Sequence, residues 1–503
     1  MPTRRAPVFG ATLASIVTAA ALYGGCATTT AAPAPAAAPA RSPRSAPPAD
    51  GPPAPMRMPV DSLSARRAPV PLQSAQPPLY GDDVRSVRLA RSLRVMAAPS
   101  RYAEPLGIVA AGTRVAWREY ERNGECETPW LRIEPDGWLC ARPGQLAPST
   151  RAPTTTVQPH VRRGGIPGTY GKVAKESPVF ASLEAAIART PSRVAAGDIV
   201  RLSAVATAPE GAAFWKTQRG EYVDADRVRR LRGSRFRGVE LGDADALALP
   251  LAFVARGRRR VPVLAEPTPR SRRVGWMDRG AWANAGPLSD DGEFVQLGDG
   301  RWAARTDVRL AHRATRPAQV GPDETWIDID IAEQTAVAYV GDRPVLATLV
   351  STGKRRDPTP IGSFRIYKKK ARTTMASDRS LPQTYSVAVP WSMYFLDGYA
   401  LHASYWHDGF GAPRSHGCIN LAPADARRLY DLLEPRMPPG WLVAYSSTDR
   451  PGSLVRVRDS SSVRARRAPD DQRAALERIR DSARRAAATT RAYFLRFRGR
   501  GRS

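Results

Sequence analysis

Cysteine and histidine are scarce in this 503-residue chain, at four and five copies, and aromatic residues make up only 7% of it. Beyond Leu22 no segment is apolar enough to cross a membrane as a helix, which excludes a polytopic helical membrane protein. Residues 27–78 consist largely of Ala, Pro, Ser and Arg with almost no aromatics. Such a stretch cannot bury a core and reads as an extended tether. Carboxylates are outnumbered, 47 against 76 basic residues, for a formal net charge of +29. That balance implies a general attraction to polyanions. No motif of a specific nucleic-acid reader accompanies it, so nucleic acid is not an expected partner.

What is present begins at the N-terminus. Arg4 and Arg5 precede an apolar run from Ala6 to Leu22 that ends in Gly24-Gly25-Cys26. The run is too short to span a bilayer and reads as the core of an export signal over residues 1–26. Cys26 after small residues resembles a lipoprotein processing site, where the cysteine is acylated and becomes the mature N-terminus. Tyr23 stands where that pattern usually has Leu, and a plain signal peptide cut near Ala27 is the alternative. The residue after Cys26 is not Asp, which by the sorting rule of enteric bacteria points to the outer membrane. Export in turn favours pairing of Cys126 with Cys140. Closing that loop of about 15 residues is worth roughly 3 kcal/mol in the chain-entropy account.

Cys418 is left, within Ser415-His416-Gly417-Cys418-Ile419-Asn420 and downstream of His402. A thiolate is the reactive form of cysteine, and a neighbouring imidazole is the usual way to generate it near neutral pH. The Gly417-Cys418 turn is also placed to aim backbone N–H groups at a developing oxyanion. His402, His407, His416 and Cys418 are four conceivable zinc ligands. The five-residue interval from His402 to His407, however, suits neither one helical face nor one strand face.

This pattern resembles the L,D-transpeptidase (YkuD-type) catalytic domain, whose signature is His, a spacer, then Ser/Thr-His-Gly-Cys, a hydrophobic residue and Arg or Asn. Two upstream blocks extend the likeness. One is Trp326-Ile327-Asp328-Ile329-Asp330 with Gln334 and Ala338-Tyr339. The other is Val350-Ser351-Thr352-Gly353 with Thr359-Pro360-Ile361-Gly362-Ser363-Phe364. The resemblance covers residues 323–446 and implies a β-sandwich. It implies Cys418 as nucleophile and His402 as base, with the Ala403 carbonyl orienting the ring. Ser415, His416, Gly417 and Asn420 would support them, Asn420 by bonding backbone after the nucleophile. In a strand His416 would share a face with Cys418, so an exchange of roles between His402 and His416 stays open. Tyr394, Tyr399 and Trp406 would form an aromatic wall for substrate, and Tyr405, Trp406 and Phe410 an active-site loop or lid. Lys368-Lys369-Lys370 and Arg372 would either attract an acidic substrate or form a solvated charge run.

The implied activity is two-step acyl transfer between peptidoglycan stem peptides through a Cys418 thioester, giving 3→3 cross-links without cofactor or metal. Water or a protein amine could replace the second stem, and a wall-binding scaffold is the reading from another class.

Between residues 83 and 313 short strand patterns recur three times, at 83–147, 168–228 and 250–313. They are similar to SH3-like small barrels, with binding of wall polymer and bland packing equally open. Pro148 to Pro167 and Arg229 to Gly242 read as linkers. Residues 447–503 read as a basic tail, partly helical after Pro469-Asp470-Asp471. The expected protein is therefore mainly β: small SH3-like barrels, an L,D-transpeptidase-type β-sandwich catalytic domain, and a C-terminal helical basic tail. Its expected place is the periplasmic face of the cell envelope, lipid-anchored.

Overall fold

The computed structural model describes residues 78–155, 166–242, 249–255, 260–298, 300–376 and 386–463. The export segment with Cys26, the tether up to residue 77 and the helical tail beyond residue 463 lie outside them. Among the described residues no helix is long and apolar enough to cross a membrane.

From Thr325 onward, runs rich in Ile, Val and Ala form, among the described residues, ten strands and one α-helix, as β-branched residues on a pleated, half-buried surface favour. The strands are β1 (Thr325–Asp330), β2 (Thr335–Val340), β3 (Arg343–Ser351), β4 (Gly362–Arg365), β5 (Lys368–Ala376), β6 (Ser386–Leu396), β7 (Tyr399–Ala403), β8 (Ile419–Leu421), β9 (Trp441–Tyr445) and β10 (Leu454–Arg458). The helix is α1 (Pro423–Leu432), with Pro423 in its first turn, where a missing N–H costs nothing.

Two sheets result. The first runs β3–β2–β1–β10–β4. In the second, the last two residues of β3 pair with β8, and β7, β6, β5 and β9 follow. Ile327, Ile329, Ala336 and Ala338 of the first sheet share one core with Met393, Leu401, Ile419 and Leu421 of the second. Strands β7 and β8 are parallel. Parallel neighbours cannot be joined by a tight hairpin, so residues 404–418 run as a long crossover. That crossover delivers Trp406, His407 and Cys418 to one end of the second sheet.

The sequence reading ends this domain at residue 446, but the structure carries it to Arg458. Strand β10 lies between β1 and β4, with Leu454, Val455 and Val457 buried. Its arginines give the segment a polar look while serving the interior. Arg456 and Arg458 bond the two oxygens of buried Asp328 at 2.6 and 2.8 Å, and Arg458 also reaches Asp330 at 2.7 Å.

Three small β units precede the domain. In the first, Cys126 and Cys140 are disulfide-bonded with Cα atoms 5.7 Å apart. Its strand Pro105–Val109 pairs antiparallel with β9, lengthening the second sheet. The approach demands glycine at 107, where a Cβ would lie 2.3 Å from the Val443 carbonyl oxygen. The middle unit, Thr169 to Leu231, meets the start of β6 through Ile199 opposite Val387. The third packs Leu251, Phe253 and Ala311 on Trp326, Val337 and Tyr339, the outer face of the first sheet. The segment from Arg229 to Gly242, read as a linker, instead contributes Val239–Glu240 as a short strand beside β3.

Candidate active site

Register decides which side chains meet. Leu401 and Ala403 of β7 and Ile419 and Leu421 of β8 point into the core, so the residues between them face the other way. His402 stands opposite Asn420, and Cys418 precedes Asn420 by two. Cys418 lies in the turn that leads into β8, and His402 lies within β7. Both line a cavity of about 420 Å³ together with Tyr394, Trp406, Ser415 and His416.

The turn carrying Cys418 is held from several sides. Ser415 is buried; its hydroxyl donates to the Cys418 carbonyl and accepts the Gly417 N–H at 3.0 Å. Thr359 donates to the Gly417 carbonyl at 2.7 Å and accepts the Gly353 N–H at 2.9 Å. Gln334 bonds Thr352 through both ends of its amide, its oxygen accepting the Thr352 N–H at 2.9 Å. Thr352 in turn accepts the Arg414 and Ser415 N–H groups. The upstream sequence blocks thus converge on this turn. Gly417 sits at φ 108°, and a Cβ there would come 2.4 Å from the Tyr399 ring. Both facts restrict the position to glycine.

His402 is buried, and its Nδ1 lies 3.2 Å from the Ala403 carbonyl oxygen. Only a protonated Nδ1 can donate there, which leaves Nε2 as the basic nitrogen of the neutral ring. Burial pushes His402 down to about 4, against the bond to Ala403, which favours the charged ring. Burial pushes the Cys418 thiol up to about 11, opposed by a backbone hydrogen bond from Ala400. The Cys418 residue keeps some exposure to the cavity, and its sulfur donates to the Gly398 carbonyl at 3.6 Å. Burial thus disfavours the charged form of both groups.

With this geometry in place, comparison with known proteins is informative. Residues 324–457 match the L,D-transpeptidase catalytic domain (YkuD). The chain is 30% identical over 164 residues to L,D-transpeptidase 1 of Mycobacterium tuberculosis, covering 26% of this chain and 61% of that protein. It thus spans less than two thirds of the length of that curated relative. Among solved structures, an L,D-transpeptidase from Mycobacterium smegmatis is similar at 21% identity and TM-score 0.23, covering 34% of this chain and 79% of that one. The catalytic domain of the Enterococcus faecium L,D-transpeptidase is similar at 25% identity and TM-score 0.22, covering 27% and 98%.

Within the matched region several residues have other surroundings than the sequence suggests. Among the described residues the Asn420 side chain meets His407 rather than backbone, its Nδ2 lying 3.0 Å from His407 Nε2. His407 Nδ1 accepts the Gly409 N–H at 3.2 Å. Burial, then Arg414, holds His407 down to about 4. Among the described residues no group of three His, Cys, Asp or Glu is placed to hold a metal ion. The Gly417 N–H, expected to face an oxyanion, is taken by Ser415.

The crossover is anchored rather than loose. Tyr405 is buried, donates to the Ala388 carbonyl at 2.6 Å and packs on Tyr170 of the middle unit at 4.1 Å. Phe410 is buried as well. Trp406 lies over His402 with ring centroids 5.9 Å apart. Tyr399 packs against the Gly417 turn, and His416 is exposed at the rim of the cavity. The lysine run is not one solvated face. Lys368 and Lys370 flank the Tyr394 ring at 4.6 and 5.9 Å. Lys369 points the other way, fully buried and donating to the carbonyls of Tyr430 and Leu433 beside the end of α1. Sequence reasoning missed Ile199 and Thr374, which also line the cavity. Thr374 comes from β5, beside β6, whereas Ile199 reaches the cavity only through the pairing of the middle unit with β6.

Proposed function

We propose that the protein is a peptidoglycan L,D-transpeptidase that forms 3→3 cross-links through a cysteine thioester. The supporting observation is the shared face of β7 and β8, where Cys418 and a neutral, Ala403-oriented His402 open onto one cavity. In this reading Cys418 Sγ attacks the carbonyl carbon of the third residue of a tetrapeptide stem while His402 Nε2 takes the thiol proton. The Cys418 N–H, which bonds no other described residue, holds the oxyanion. As the tetrahedral adduct collapses, His402 returns the proton to the departing amine of the terminal D-amino acid, leaving a thioester. An amine on a second stem then attacks that carbonyl, His402 removes its proton, and the thiol is released. Thiol and imidazole suffice for both halves, so no cofactor enters.

The same reading places the chain at the periplasmic face of the cell envelope, held to the outer membrane by lipid on Cys26. The upstream units would be SH3-like modules that keep the domain on its polymer.

The test is intact mass of the purified protein incubated with a disaccharide-tetrapeptide, with Cys418→Ala as control and product muropeptides analysed in parallel. A Cys418-dependent dimer is expected. Tripeptide alone would make the enzyme a carboxypeptidase, and absence of both adduct and product would refute the donor half-reaction.

A further inference from the structure

The catalytic cavity does not end at the catalytic domain. Thr374 of β5 lines it and also lines a second groove of about 610 Å³, formed between β5 and the middle unit. Thr374 thus stands between the two spaces. The seam is stitched by Gln218, which donates to Thr374 Oγ1 at 3.1 Å, and by Arg219, which donates to Ser386 Oγ. The parallel pairing of Ile199 with Val387 closes it.

The groove has one sign of charge. Arg201, Lys216, Arg219 and Arg372 line it, and among the described residues no carboxylate does. Glu221, the acidic residue next in sequence, is turned away into a two-pronged pair with Arg193 at 2.8 and 3.0 Å. Lys216, Arg219 and Arg372 are exposed, so their charges are hydrated and available. Arg219 lies within electrostatic reach of Glu221, and the remaining like charges repel one another in the free protein. The repulsion is relieved when an anion enters.

We infer that this groove binds the carboxylates of an acidic peptide strand whose other end occupies the Cys418 cavity. The inference rests on the proposed reaction and names the substrate feature that the middle unit reads. A stem peptide fits because it is extended and carries free carboxylates. A peptide lying past Thr374 would thereby be held on both sides of the seam, making the middle unit part of the substrate site.

The test is calorimetric binding of a tetrapeptide stem to the full chain carrying Cys418→Ala, so that no turnover is needed. Lys216→Gln with Arg372→Gln is expected to weaken binding about tenfold at low salt, the scale of two lost charge contacts. It should also flatten the dependence of affinity on ionic strength. The same peptide with amidated carboxylates should bind both forms alike and weakly. Equal binding of the free-acid peptide to both forms would overturn the groove while leaving the proposed reaction intact. Displacement by inorganic polyphosphate as effective as by peptide would overturn the assignment to a carboxylate peptide. Lack of any peptide binding, together with no acyl-enzyme in the unmodified protein, would overturn both.

Discussion

The protonation state of the Cys418–His402 pair can be decided by titrating the sulfur. With the thiol pushed up to about 11, only about one sulfur in three thousand is ionised at pH 7.5, since each pH unit below the pKa is a tenfold loss. With His402 held near 4, the ring stays neutral across the same range. Alkylation of Cys418 by iodoacetamide should therefore rise about tenfold per pH unit from 6 to 9 without a plateau. Thiolate absorbance at 240 nm, taken as a difference against Cys418→Ala, should be absent at pH 7. Replacing His402 by Ala should leave the alkylation profile where it is while slowing acyl-enzyme formation about 10²–10⁴-fold, the usual share of a general base. A plateau in alkylation from pH 6 upward that vanishes in His402→Ala would refute the reasoning. It would mean a standing thiolate–imidazolium pair whose mutual attraction exceeds the desolvation cost.

Gly417→Ala places a side chain at φ 108° and against the Tyr399 ring. It should cost about 1–3 kcal/mol and slow acylation of Cys418; an unchanged acylation rate would show that this turn does not position the sulfur. Asp328→Ala strips the partner from Arg456 and Arg458 between β1 and β10 and should cost about 3 kcal/mol. Chemical denaturation measures this, and a loss under about 1 kcal/mol would contradict a role in holding β10. Stability should also fall with acid. Because His402 titrates near 4 in the fold and near 6.5 when unfolded, the unfolded chain takes up a proton that the native chain refuses. The contribution is complete above pH 6.5 and is lost as pH falls to 4, about 2 kcal/mol being gone by pH 5. Urea unfolding at pH 7 and pH 5 measures it, and His402→Asn should flatten the difference.

What was legible in the sequence was whatever one short segment encodes by itself. The likeness of Trp326–Asp330 and Ala338-Tyr339 to a family block pointed to β1 and β2, and the Ser-His-Gly-Cys run with His402 upstream pointed to the candidate site, because a nucleophilic turn needs its glycine and its hydroxyl within a few residues. Spacing alone could not say that Asn420 would meet His407, since that contact depends on how residues 404–418 cross from β7 to β8. Strand β10 was hidden because Arg456 and Arg458 look solvent-facing until Asp328 is folded beside them, and Lys369 was hidden for the same reason beneath the end of α1. The protonation state of the site was equally out of reach. Sequence names the imidazole and the thiol, but burial, which only packing creates, disfavours the charged form of both. The groove beside Thr374 belongs wholly to tertiary structure, for its cations come from residues 201, 216, 219 and 372 and share a wall only after the middle unit docks on β6.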